Sequence, residues 1–119
     1  MAFLYKRLTE ITTITGSVSV MFNNSTASTT SYIRSIILHN NHTASVIVKL
    51  YNVPNSGAAP GAGAAGNQFF YATMTAGQTI MIEVPIPGLV LSDQYDTIQA
   101  WSDNASKVTI QIFGGQETA

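Results

Sequence analysis

The chain contains no cysteine. A disulfide framework, a thiolate nucleophile and a cysteine zinc site are therefore excluded, and the fold must hold together by packing and hydrogen bonds alone. Charge is the second scarcity, since only 9% of the 119 residues are Asp, Glu, Lys or Arg, against roughly a quarter in ordinary soluble proteins. The five cations, Lys6, Arg7, Arg34, Lys49 and Lys107, are scattered. No basic stripe exists for a phosphate backbone, so nucleic acid is not an expected partner. A net charge of −1 leaves little repulsion between copies, and a polar, nearly uncharged surface suits a protein that works within an assembly. Long apolar runs are missing too. The longest surrounds Ile36-Ile37-Leu38, far short of the ~20 residues of a spanning helix, and no membrane partner is expected. The opening Met1-Ala2-Phe3-Leu4-Tyr5-Lys6-Arg7 lacks the basic-then-apolar order of a secretory signal, which puts the expected mature start near Met1.

What the chain does have is strand. Its 45% hydrophobic content is enough for the core of one domain. The stretch from Tyr32 to Val53 reads as a long β-hairpin: one arm through Ile33, Ile36, Ile37 and Leu38, a turn at Asn40-Asn41-His42-Thr43, and a second arm through Val46 to Tyr51. Period-two alternation points Ile36, Leu38, Val46, Val48 and Leu50 inward. Further strands are expected at Ser17–Phe22, Asn67–Met74, Thr79–Ile86, Leu89–Leu91, Thr97–Ser102 and Val108–Phe113. Ile80, Ile82, Val84 and Ile86 share one face, as do Val108, Ile110 and Ile112. Pro85 cannot donate to a ladder, so its strand ends there or lies at an edge.

No segment shows a 3.6-residue apolar period long enough for a helix. The expected architecture is all-β, an antiparallel sandwich of about eight short strands for which a jelly roll is one topology. Residues 1–15 form a strand-prone N-terminal arm, residues 16–115 the single sandwich domain, and residues 116–119 a C-terminal tail. Within the domain, the Gly/Ala/Pro-rich segment 54–67 can bury almost no apolar area and is expected to be a flexible loop.

Motifs for chemistry are few. Gly61-Ala62-Gly63-Ala64-Ala65-Gly66 fits a dinucleotide-binding pattern, but a strand at Phe69-Phe70-Tyr71 follows where that fingerprint needs a helix N-terminus. His39 and His42 flank the turn without a third ligand nearby, and Asp93 and Asp96 lack the alternating ligands and glycine of a calcium loop. Turn chemistry explains both pairs. No Gly-x-Ser-x-Gly elbow is present, and six scattered acidic residues make a poor glycosidase pair. No catalytic, cofactor or metal residue is therefore nominated. Trp101 and Tyr95, with Phe69, Phe70 and Tyr71, offer an aromatic surface for a sugar, although a tryptophan in a sandwich strand more often serves core or interface.

Several short motifs resemble a family. Tyr5-Lys6-Arg7-Leu8, Val84-Pro85-Ile86, Gly88-Leu89-Val90-Leu91, Asp96-Thr97-Ile98 and Val108-Thr109-Ile110-Gln111-Ile112-Phe113-Gly114 look like small virion structural proteins of tailed bacteriophages, the capsid decoration, head-fibre and tail-associated group. The resemblance spans most of the chain, and the long Gly/Ala loop departs from it. It implies a non-enzymatic protein on the surface of a phage particle, made in the bacterial cytoplasm, with the major capsid protein or another virion protein as partner. It also implies a homo-oligomer, a trimer being the favoured number. A strand-prone arm can add to a neighbour's sheet edge, and Phe3, Leu4, Tyr5 and Leu8 are the expected contacts. The expected role is a cement protein stapling shell subunits, with stabilisation coming from binding the assembled shell alone. The alternatives are a tail or fibre module binding host glycan through Tyr95 and Trp101, and a low-copy neck component.

Overall fold

The computed structural model describes residues 2–85 and 88–118, with residues 2–5 described through their main chain. Nine strands follow in order: β1 (Ala2–Thr13), β2 (Ser19–Asn23), β3 (Thr29–Asn40), β4 (Val46–Val53), β5 (Gln68–Met74), β6 (Thr79–Glu83), β7 (Leu89–Leu91), β8 (Thr97–Ser102) and β9 (Val108–Thr118). The one helical piece among the described residues is a 3-10 turn at Ala65–Asn67. All strand pairs are antiparallel and form two sheets. One runs β1-β9-β3-β6, with β7 also on β3, and the other runs β2-β8-β4-β5.

This order is that of a jelly roll. β6 and β7 pair with successive stretches of β3, Ser35–His39 and Ser31–Ile33, so they act as one strand interrupted between Val84 and Gly88. Pro85, which has no N–H to donate, sits in that interruption. Counted as one, they leave eight strands that pair first with last and inward: β1 with β9, β2 with β8, β3 with β6/β7, and β4 with β5. The chain is thus a folded-over ribbon, and rolling the ribbon adds the β3–β9 and β4–β8 ladders.

The hairpin expected at Tyr32–Val53 does not form. β3 is paired on both edges, by β9 on one side and by β6 and β7 on the other, and β4 likewise lies between β5 and β8. The two arms face each other from opposite sheets, and the turn after Asn40 carries the chain across the roughly 10 Å between layers. Both arms bury one face in the same core, so their inward sets are as the alternation predicts. Ile36, Leu38, Val46, Val48 and Leu50 are fully buried, as are Val108, Ile110 and Ile112. Ile80 and Ile82 pack partly buried against this cluster, whereas β6 ends at Glu83 and Ile86 lies outside the described residues.

Two buried asparagines close the ends of the roll. Asn40 shares its amide N–H groups among the carbonyls of Ala44, Met74 and Thr75 at 3.0–3.1 Å, while its Oδ1 accepts from the His42 backbone. At the other end of β3, Asn24 donates to the carbonyls of Thr29, Leu91 and Asp93 and accepts from the Ser31 hydroxyl. β9 continues to Thr118 through the residues expected as a tail, because β1 and β3 hydrogen-bond it on both flanks to that point.

Candidate functional site

Two surfaces stand out, the free edge at β1 and the outward face of the β2-β8-β4-β5 sheet. β1 is twelve residues long and borders one sheet, with β9 its strand partner. From Ala2 to Arg7 the ladder is regular, pairing Phe3 with Glu117, Leu4 with Gln116 and Tyr5 with Gly115. Beyond Arg7 it is bulged twice before Thr12. That bulged half also carries the exposed Arg7–Glu10 ion pair, at 2.8 Å. Bulges and charges are the usual devices that stop an edge from recruiting another strand. They guard one half of β1 and leave the other open.

The two halves differ in anchorage as well. Leu8 is partly buried against the core, and the Thr9 hydroxyl donates to the Met21 carbonyl on β2 at 3.0 Å. Ile14, just past β1, is fully buried. Leu8 therefore holds β1 to its own domain. Phe3, Leu4 and Tyr5 lie in the open, regular half; their main chain is placed by β9, and their side chains are outside the described residues.

On the opposite sheet, register brings together side chains distant in sequence. Lys49 on β4 is directly opposite Tyr71 on β5 and Trp101 on β8. Its ammonium lies 5.0 Å from the Trp101 ring centroid and 5.8 Å from that of Tyr71, within cation–π range. The Trp101 indole N–H donates to the Gly16 carbonyl at 3.0 Å, which fixes the ring. Tyr71 is 56% exposed and Phe69, two residues earlier on the same face of β5, is 41% exposed. Tyr95 is not part of this group. It precedes β8 in a turn with φ of 72° and donates its backbone N–H to Asn24, whereas Trp101 is near the far end of β8. Tyr71 and Trp101 flank Lys49, one on each neighbouring strand.

The 54–67 segment lies across this same outer face. Gln99 on β8 donates from Nε2 to the Gly61 carbonyl at 2.8 Å and accepts from the Gly63 N–H at 3.2 Å. Asp96 accepts from both the backbone and the side-chain amide of Asn55, and its second oxygen accepts from the Asp93 N–H. The segment thus roofs Tyr51 and Gln99, which are buried although their strand neighbours Leu50 and Ala100 also face the core. A side chain at Gly63 would run into Val18 and Gln99, so glycine is what lets the backbone come this close. Asp93 and Asp96 serve turn and loop chemistry, as expected, and His39 bonds the Thr79 hydroxyl at 2.7 Å. Among the described residues no three His, Asp or Glu side chains cluster in a way that could hold a metal ion. Nor is any helix there long and apolar enough to cross a membrane.

No protein-family model matches the sequence, and no curated protein is significantly similar to it. Among solved structures, one described by the words "Bacillus endospore appendages form a novel family of disulfide-linked pili" is similar over 98% of this chain and 88% of its own, with a TM-score of 0.51 at 10% identity. At that identity the likeness is one of fold: the two-sheet β-sandwich is an architecture that this chain shares with an appendage protein.

Proposed function

We propose that the chain is a non-enzymatic structural protein of a phage particle, a decoration protein that binds the outside of an assembled head and staples neighbouring shell subunits. One observation carries the assembly part of this reading, the free edge of β1 between Ala2 and Arg7. Its ladder is regular, it is free of the bulges that follow, and its far side has no strand partner among the described residues. An edge of that kind accepts a strand from a neighbour through main-chain hydrogen bonds. Repetition around a symmetry axis multiplies such contacts, and a small cyclic oligomer, a trimer for preference, is the expected form. The virion setting and the capsid partner rest on the short sequence motifs that resemble phage structural proteins.

A second reading is a repeating subunit of a fibre, favoured by the likeness in fold to an appendage protein that forms pili. The disulfide linkage of those pili is closed to a chain with no cysteine, so a fibre of this protein would be held by strand pairing and packing.

Quantitative peptide mass spectrometry on purified particles tests the first reading. Copies close to stoichiometric with the major shell protein support decoration, and absence from particles overturns it. The fibre reading is tested by electron microscopy of the purified chain: filaments support it, and discrete closed oligomers exclude it. In either case, removing residues 1–7 is expected to leave a folded domain, anchored through Leu8 and Thr9, that no longer assembles with its partner. Assembly that survives the truncation would refute the role given to β1.

A further inference from the structure

We propose that the row Tyr71–Lys49–Trp101 is a binding site for an acidic saccharide, a short oligosaccharide of hexuronic acid type. Three features of the outer face converge on this ligand. The first is shape: the three side chains lie side by side on three adjacent strands, a platform about 10 Å wide, the length of a disaccharide. Tyr71 and Phe69, both exposed on β5, are the rings open to the C–H face of a pyranose, while the half-buried Trp101 closes the row on the far side of Lys49.

The second is charge. Lys49 brings one ammonium to the middle of the row, and among the described residues no carboxylate lies within 4 Å of it. The ring faces that flank it hold the cation in place without neutralising it. A sugar carboxylate seated there gains a charge-assisted hydrogen bond that a neutral sugar cannot make. Asp103 belongs to the next row of the same face, about 7 Å along the strand, where its Oδ1 accepts from the Ile47 N–H at 2.9 Å.

The third is the wall beside the platform. Gln99 holds the 61–63 backbone over the row that contains Tyr51, one step of about 7 Å along the strands from Lys49. From Gly61 to Gly66 no side chain exceeds a methyl group. The Gly61 C=O, the Gly63 N–H and both peptide groups of Ala64 are bonded within the chain, and the small side chains leave the remaining backbone of the stretch unscreened toward sugar hydroxyls.

Neither β1 nor the proposed assembly contributes to this site. Trp101 is the one tryptophan of the chain, so its emission reports directly on the row. The full chain is titrated with tri-galacturonate and with the neutral trisaccharide in which each carboxylate is replaced by hydroxymethyl. Saturable change with the acid at about 1–10 mM or below is expected, with the neutral sugar about tenfold weaker. Lys49→Gln is expected to bring acid binding down to the neutral level, and Tyr71→Ala to weaken both sugars. Tyr71 is exposed and Lys49 half-buried on the outer face, and thermal unfolding checks that each variant is folded. The proposal is overturned by no saturable change with the acid, by acid binding that Lys49→Gln leaves intact, or by emission that follows protein concentration together with dimers in sedimentation. The last result would mean that a second copy covers the row.

Discussion

Asn40 Nδ2 lies 3.1 Å from the Met74 carbonyl oxygen, a hydrogen bond that ties the end of β3 in one sheet to the end of β5 in the other. The same amide reaches the carbonyls of Ala44 and Thr75 in partly buried bonds, from a side chain that is itself fully buried. Replacing it with alanine removes the donor from three carbonyls and the acceptor from the His42 N–H. Groups left unsatisfied in a buried site cost about 1–3 kcal/mol each at worst, and Asn40→Ala is expected to destabilise the domain by about 3 kcal/mol. Asn41→Ala, at the exposed neighbour, is expected to fall within about 0.5 kcal/mol of the parent. Urea unfolding of the two variants decides it, and equal midpoints would show that Asn40 is not a cross-sheet tie.

Asn40 also marks where the sequence could be read and where it could not. Its place at a turn was legible, because asparagine beside Asn41-His42-Thr43 is a turn signal. That the turn steps between sheets was not. Alternation says which face of a strand is buried, and β3 and β4 bury the same faces whether they pair with each other or oppose each other across a core. Only the partners of their edges distinguish the two cases, and those partners, β9 and β8, lie far along the chain. The candidate platform was half legible for the same reason. Trp101 could be picked out by residue type, but its alliance with Lys49 and Tyr71 depends on two registers that local sequence does not encode. Residue type marks Gln99 only as a polar residue within a strand. Its role in holding the Gly/Ala segment follows from a loop returning over β8, which low side-chain volume at Gly61 and Gly63 permits but does not announce.

The Gln99 latch predicts a separable effect on the loop. Gln99→Ala removes the bonds to Gly61 and Gly63 while leaving the core strands intact. Limited proteolysis within residues 57–66 is expected to accelerate about tenfold, and global stability is expected to fall by about 1–2 kcal/mol, the worth of two hydrogen bonds. If the cleavage rate in the loop stayed at the parent value, the latch would not be what holds it.

Tyr32 adds a sensitivity to alkaline pH. Its phenol is held above the ordinary value of 10.0, first by burial, then by the nearby Glu117 carboxylate, and last by the hydrogen bond from its hydroxyl to Glu117 Oε1 at 3.3 Å. A phenol whose folded-state value is raised keeps its proton in the native state after the unfolded chain has lost it. The native state then binds more protons, and stability falls as pH rises from about 10 through the folded-state value. Below pH 10 this contribution is fully present. Glu117→Gln removes the carboxylate, and the phenol is expected to titrate at lower pH with a shallower loss of alkaline stability. NMR titration of the Tyr32 ring follows the first effect and thermal unfolding between pH 9 and about 11.5 the second; an unchanged Tyr32 midpoint in Glu117→Gln would rule out the coupling.

Gly114 sets the closeness of β9 to β3. It is paired with Ile33 on one flank and Lys6 on the other, beside the shift in register between Ile33 and Ser35. A Cβ at this position would collide with the Tyr32 carbonyl and press on the Ile33 Cα, which are backbone atoms and cannot turn aside as a flexible side chain would. Gly114→Ala is therefore expected to force the central β9–β3 ladder apart and to cost about 3 kcal/mol or more, at the upper end for overpacking. Gly66→Ala is the control, because a methyl group there meets open space, and its effect is expected within about 0.5 kcal/mol. Because β1 is seated on the other edge of β9, hydrogen exchange in Gly114→Ala should quicken at Lys6 and its neighbours as well as along β3. Fast exchange confined to β3, with β1 protected as in the parent, would show that β9 carries β1 independently of its fit to β3.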